Sequence, residues 1–108
     1  MVQSIEDLDS FHAILETAGD KLVVVDFTAT WCGPCKQIAP RFKELSEEGQ
    51  NGNVLFLKVD VEEAPDVAAE CKISAMPTFH FYKNGKLVEK FTGASYEQLV
   101  KMVVALRS

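Results

Sequence analysis

Cys32 and Cys35 stand two residues apart in Trp31-Cys32-Gly33-Pro34-Cys35-Lys36, where an apolar run gives way to a helical pattern. Two thiols at that spacing can form a reversible dithiol/disulfide. Upstream, Leu22 to Phe27 reads as a buried strand; downstream, Cys35, Ile38, Phe42 and Leu45 recur at helical spacing. Cys32 therefore falls at a helix mouth and Cys35 one turn inside. Unpaired backbone N–H groups and the positive dipole end favour an anionic sulfur there. An exposed thiol at Cys32 thus has a lowered pKa and a larger fraction of thiolate, the attacking species. Two other uses of such a pair compete. As a structural staple, so short a ring constrains the unfolded chain by only about 2 kcal/mol. As half of a metal site, it needs two more ligands in reach. Only Cys71, His12 and His80 remain, and none are paired. No metal or organic cofactor is expected.

Other residues carry chemistry by type. Asp26 is the one charge in an otherwise apolar strand. It is either a strand-edge residue or a buried carboxyl held in its protonated form, because burying an unpaired carboxylate is costly. Pro77 follows Met76 at a strand entrance, where the spacing favours an ordinary trans residue over a cis turn. Trp31 is core or a flat apolar rim beside the dithiol, and its position next to Cys32 favours the rim. Gly33-Pro34 sets the geometry of the first helical turn, Pro being pre-organised there and bringing no ionisable group. Lys36 could assist the thiolate or simply be solvated. His12 and His80 are given no role.

These residues need a frame. A short N-terminal strand precedes a helix over Asp7–Ala18 that ends at Gly19. Strand Leu22–Phe27, the Cys35 helix and strand Val54–Val59 then form a right-handed βαβ unit, with a Gly/Asn-rich turn over Gly49–Asn53. Pro40 predicts a kink in the helix. A short helix near Pro65–Cys71 leads to strands Thr78–Tyr82 and Lys86–Phe91, joined by Asn84-Gly85 as a type I′ hairpin. The last helix opens on a capping box, Ser95-x-x-Gln98, with Leu99, Met102, Val103 and Leu106 on one face.

The chain has 108 residues, 47% hydrophobic and 25% charged, as expected for one globular domain over 1–108. Its charge of −5 argues against phosphate-backbone binding, so nucleic acid is not an expected partner. No apolar stretch is long enough for a membrane span, and Met1 to Ser10 lacks a signal peptide's apolar core. Three cysteines suit a reducing compartment better than a secreted disulfide framework, so the expected location is cytoplasmic.

The motif and its surroundings resemble the thioredoxin family over nearly the whole chain. The resemblance rests on Val23–Phe27, Ala29–Lys36, Val59-Asp60-Val61, Met76-Pro77-Thr78 and Gly93-Ala94. It implies an α/β thioredoxin fold, a central mixed five-stranded sheet flanked by four helices. It also implies a general protein disulfide reductase with Cys32 as nucleophile and Cys35 as resolving thiol, receiving electrons from a thioredoxin reductase and acting on protein disulfides. Asp26 becomes the water-linked base for Cys35. Met76-Pro77 becomes a cis-proline loop whose Met76 backbone binds an extended client, with Gly93 and Trp31 flanking the groove. Oxidising relatives carry His at the position of Pro34; this chain has the reductant's dipeptide. Two rivals remain, an oxidase or isomerase and a redox-dependent binding module. Cys71 shares a helical face with Ala64, Val67 and Ala68 and is expected to be a small buried residue; the additional cysteines of some animal members would fall at Ala64 and Ala75, so it is expected to have no disulfide partner, in a monomer.

Overall fold

The computed structural model describes residues 1–108. Its elements run β1 (Val2–Ser4), α1 (Leu8–Ala18), β2 (Val23–Thr28), α2 (Gly33–Glu47), β3 (Leu55–Asp60), α3 (Pro65–Glu70), β4 (Thr78–Lys83), β5 (Lys86–Thr92) and α4 (Tyr96–Leu106). The strands form one sheet in the order β1-β3-β2-β4-β5. β1 and β2 lie parallel to β3, and β4 lies antiparallel to β2 and β5. This is the thioredoxin fold expected from the sequence.

Each boundary has a local cause. Asp7 caps α1, its carboxylate accepting from the Ser10 N–H at 2.8 Å, so the helix proper begins one residue later than the periodicity suggests. Ser95 caps α4 in the same way, accepting from the Gln98 N–H at 3.2 Å. α2 continues through Pro40 without interruption. Between β4 and β5, Asn84 and Gly85 both take positive φ, 55° and 74°, as a type I′ turn requires.

Because side chains alternate along a strand, β2 supplies both cores. Val23, Val25 and Phe27 join Phe11 of α1 and Val67 of α3 on one face. Val24 joins Ile38 and Phe42 of α2, Phe56, Phe79 and Leu99 on the other. Asp26 shares the parity of Val24 and therefore faces the layer of α2, the helix that carries the cysteines. The Gly/Asn-rich segment after α2 is more than a turn. Its Gly49–Asn51 portion is a 3-10 helix, and buried Asn51 donates to the Leu45 carbonyl at 2.9 Å and accepts from Arg107 Nη1 at 2.8 Å. This ties the C-terminal ends of α2 and α4 together and holds α2 in register against the sheet.

Candidate active site

Cys32 is the N-cap of α2 and Cys35 lies in its first turn, with the Cα atoms 5.3 Å apart and the two sulfurs joined as a disulfide. The extended backbone of Cys32 (φ −89°, ψ 111°) turns its side chain back over the helix start, where Sγ accepts the Cys35 N–H at 3.2 Å. That N–H has no carbonyl partner within the helix, so it is free to stabilise a thiolate on Cys32. Pro34 sits in the same first turn and lacks an N–H where none is needed.

Cys35 is 1% exposed and Cys32 6%. The sequence led us to expect an exposed thiol at Cys32. In the disulfide it is instead largely covered, because both sulfurs cluster with Ala29 while Val61 and Met76 pack against them. Cys32 Sγ lies 3.7 Å from the Met76 carbonyl oxygen. Trp31, next to Cys32 in the chain, lies outside both cores and is 65% exposed.

Asp26 is 3% exposed, and its Oδ1 has no hydrogen-bond partner in the protein. Burial pushes its carboxyl up to about 7, while the Lys58 ammonium pulls it partway back. Asp26 and Cys35 line one cleft of about 260 Å³, together with Thr28, Lys36, Lys58 and Asp60. The sequence placed Asp26 in the strand but said nothing of Lys58. Lys58 stands beside Asp26 in the β2–β3 register, and that parallel pairing was the only signal that could have found it. Lys58→Gln is expected to raise the Asp26 pKa further, by removing the cation that favours the carboxylate. A carboxyl-carbon NMR titration reads this directly, and an unmoved titration would remove Lys58 from the site.

The Met76–Pro77 bond is cis, against the preference read from spacing alone and as the family resemblance implies. Pro77 is buried, and its carbonyl accepts the Gly93 N–H at 2.9 Å. Gly93 has φ +118°, a conformation that side chains rarely adopt, and a Cβ there would meet nothing within 4 Å. The Gly93–Pro77 bond therefore brings two backbone segments together, one of which borders the disulfide through Met76.

The remaining cysteine and histidines lie elsewhere. Cys71 ends α3 half-buried, so the expectation of a core residue is corrected: it lies at the rim of one core rather than within it. Its sulfur is 3.5 Å from the Tyr82 hydroxyl, which is 3.2 Å from Nδ1 of buried His80. These three line a separate groove of about 680 Å³ between α1 and the β4–β5 hairpin. Burial pushes the Cys71 thiol up despite its bond to Tyr82, and burial and Lys90 lower His80 to about 4, so the imidazole is neutral. His12 is exposed and pairs with Glu70 at 2.6 Å. Because alkylation requires thiolate, Cys71 in the native protein is expected to label more slowly than free cysteine at pH 8. Mild peroxide should leave it reduced and the chain monomeric on non-reducing gels. Fast labelling or a Cys71-linked dimer would contradict this.

The family model described as Thioredoxin matches residues 2–105. The chain is 58% identical to thioredoxin of Ictalurus punctatus over 104 residues, 96% of each chain. Its fold superposes with TM-score 0.92 on a thioredoxin from Malassezia sympodialis at 43% identity, covering 99% of this chain and 94% of that one. It also superposes with TM-score 0.89 and 44% identity on a chain from a complex of ferredoxin:thioredoxin reductase and thioredoxin f2, covering 99% and 96% respectively. No helix is long and apolar enough to cross a membrane.

Proposed function

The chain belongs to the thioredoxin family, and on that premise we propose a general protein disulfide reductase in which each residue of the site has a separate task. The Cys32 thiolate attacks one sulfur of a client disulfide and forms a mixed disulfide, while the second client sulfur leaves as a thiolate and takes up a proton. Cys35 then attacks the Cys32 sulfur and displaces the other client sulfur. The client gains two electrons and leaves as a dithiol, and Cys32–Cys35 is left oxidised. The observation that carries this order is the pair's placement: Cys32 caps the helix, whereas Cys35 is 1% exposed one turn inside it.

So deep a thiol cannot readily give its proton to bulk water. Asp26, with its carboxyl near 7 and opening on the same cleft as Cys35, is the proton acceptor for the resolving step. Gly33 and Pro34 shape the helix start without adding charge. The client lies as an extended strand against the Met76 backbone, Pro77 and Gly93, with Trp31 as an apolar edge. Recognition through backbone groups reads no side-chain sequence, which suits many clients.

A thioredoxin reductase returns the electrons, a reading supported by the complex that the related thioredoxin f2 forms with its reductase. We extend the reading to a single domain over 1–108 that works as a cytoplasmic monomer without a metal, organic cofactor, nucleic acid or membrane. A free Cys71 beside a working dithiol suits a reducing compartment. Reduction of insulin with dithiothreitol as electron source tests the activity. Catalysed B-chain precipitation is expected, and a rate equal to dithiothreitol alone would overturn the reading.

A further inference from the structure

Ala75 and Met76 take part in no backbone–backbone hydrogen bond, although Met76 borders Cys32 and, in the function proposed above, presents its backbone to the client. What holds the Ala75 end of this loop is a side chain. Thr78, the first residue of β4, is 6% exposed, and its Oγ1 donates to the Ala75 carbonyl at 2.6 Å. Its Oγ1 also lies 3.0 Å from Thr92 Oγ1. A hydroxyl has one hydrogen. Thr78 commits that hydrogen to Ala75, so the second bond runs from the Thr92 hydroxyl to Thr78.

Thr92 is the β5 partner of Thr78 and immediately precedes Gly93, whose N–H donates to the Pro77 carbonyl at 2.9 Å. The two walls of the client groove, Ala75–Pro77 and Gly93, are thus tied by one backbone bond and by a directed relay, Thr92 to Thr78 to Ala75. We propose that Thr78 is a positioning residue for client recognition, with Thr92 as its support: the hydroxyl pair holds the Met76 backbone where an extended client strand can pair with it beside Cys32. Thr78 touches neither sulfur, so its contribution falls on client binding and not on the thiol chemistry. This inference rests on the client groove of the preceding section.

Thr78→Val keeps the shape and β-branching of the side chain and removes the donor; Thr78→Ser keeps the donor. With insulin as client, Thr78→Val is expected to raise KM about tenfold with kcat within about twofold, the pattern of lost uniform binding. Thr78→Ser should restore the wild-type KM. Thr92→Val, which leaves the Ala75 bond in place, should raise KM by a smaller factor. 2-Hydroxyethyl disulfide, which has no peptide backbone to pair, should be reduced by Thr78→Val within about twofold of wild type. A wild-type KM in Thr78→Val would overturn the proposal, and so would an equal loss toward both substrates, the mark of a damaged dithiol or fold. If the wild-type chain leaves insulin intact, the function itself fails, and that result is distinct from either.

Discussion

Cys32→Ser is expected to lower disulfide reduction at least about 10³-fold, because no other thiol can begin the exchange. Cys35→Ser should retain the first attack and stop at the mixed disulfide. The asymmetry follows from the helix. Cys32 lies at the N-cap, where the Cys35 N–H at 3.2 Å and the helix dipole favour its thiolate, and it borders the Met76 carbonyl where a client would lie. Cys35 is 1% exposed inside the first turn, bonded to the sulfur of Cys32, packed with Ala29 and lining the cleft it shares with Asp26. Incubation of Cys35→Ser with oxidised client should give an adduct through Cys32 that is visible on non-reducing gels and released by dithiothreitol. Adducts through Cys35 in Cys32→Ser, with none through Cys32 in Cys35→Ser, would reverse the assignment.

Asp26→Ala should make the protein more stable at neutral and alkaline pH while slowing it as a reductant. Its folded carboxyl, near 7, lies above the unfolded value of about 3.9, so the folded state binds this proton more tightly. The stability Asp26 contributes is therefore fully present below about pH 4 and is lost as pH rises through 7. The shift corresponds to a cost on the order of 4 kcal/mol above pH 7 relative to acid. Replacement by Ala removes that cost but leaves a small void. The expected net gain is about 2–4 kcal/mol at pH 8, shrinking toward pH 4, where wild type and variant converge or reverse. Urea denaturation at several pH values measures this difference. In stopped-flow reduction, release of client from the mixed disulfide should slow by about 10²-fold, and the rate inflection near pH 7 should disappear. Lower stability at pH 8 with unaltered release would make Asp26 a structural residue.

The dithiol and its frame are legible because they depend on local spacing. Trp31–Lys36 sets two sulfurs one helical turn apart wherever that helix lies, and the short β-branched apolar run of Val23–Phe27 reads as a buried strand. Asn84-Gly85 requires its turn, and Ser95 caps α4, by contacts that span only a few residues. Even the direction of Asp26 toward α2 is implicit in its parity with Val24, once that face of β2 is known to carry the helix.

What lay beyond the sequence are the contacts between residues far apart in the chain. Lys58 reaches Asp26 only through the parallel register of β2 and β3, and Asn51 meets Arg107 only because α2 and α4 end side by side. Cys71 meets Tyr82 at the edge of a core that its own helix could not predict. The hydroxyl relay from Thr92 to Thr78 requires the irregularity at Phe81/Tyr82, which shifts the β4–β5 register from the one the two-residue turn alone would set. Helical and strand periods follow from backbone geometry and side-chain alternation, which any short stretch of sequence records. Register between distant strands is chosen by the packing of both cores at once, so the charge beside Asp26 and the hydrogen bond beneath Met76 exist only in the folded chain.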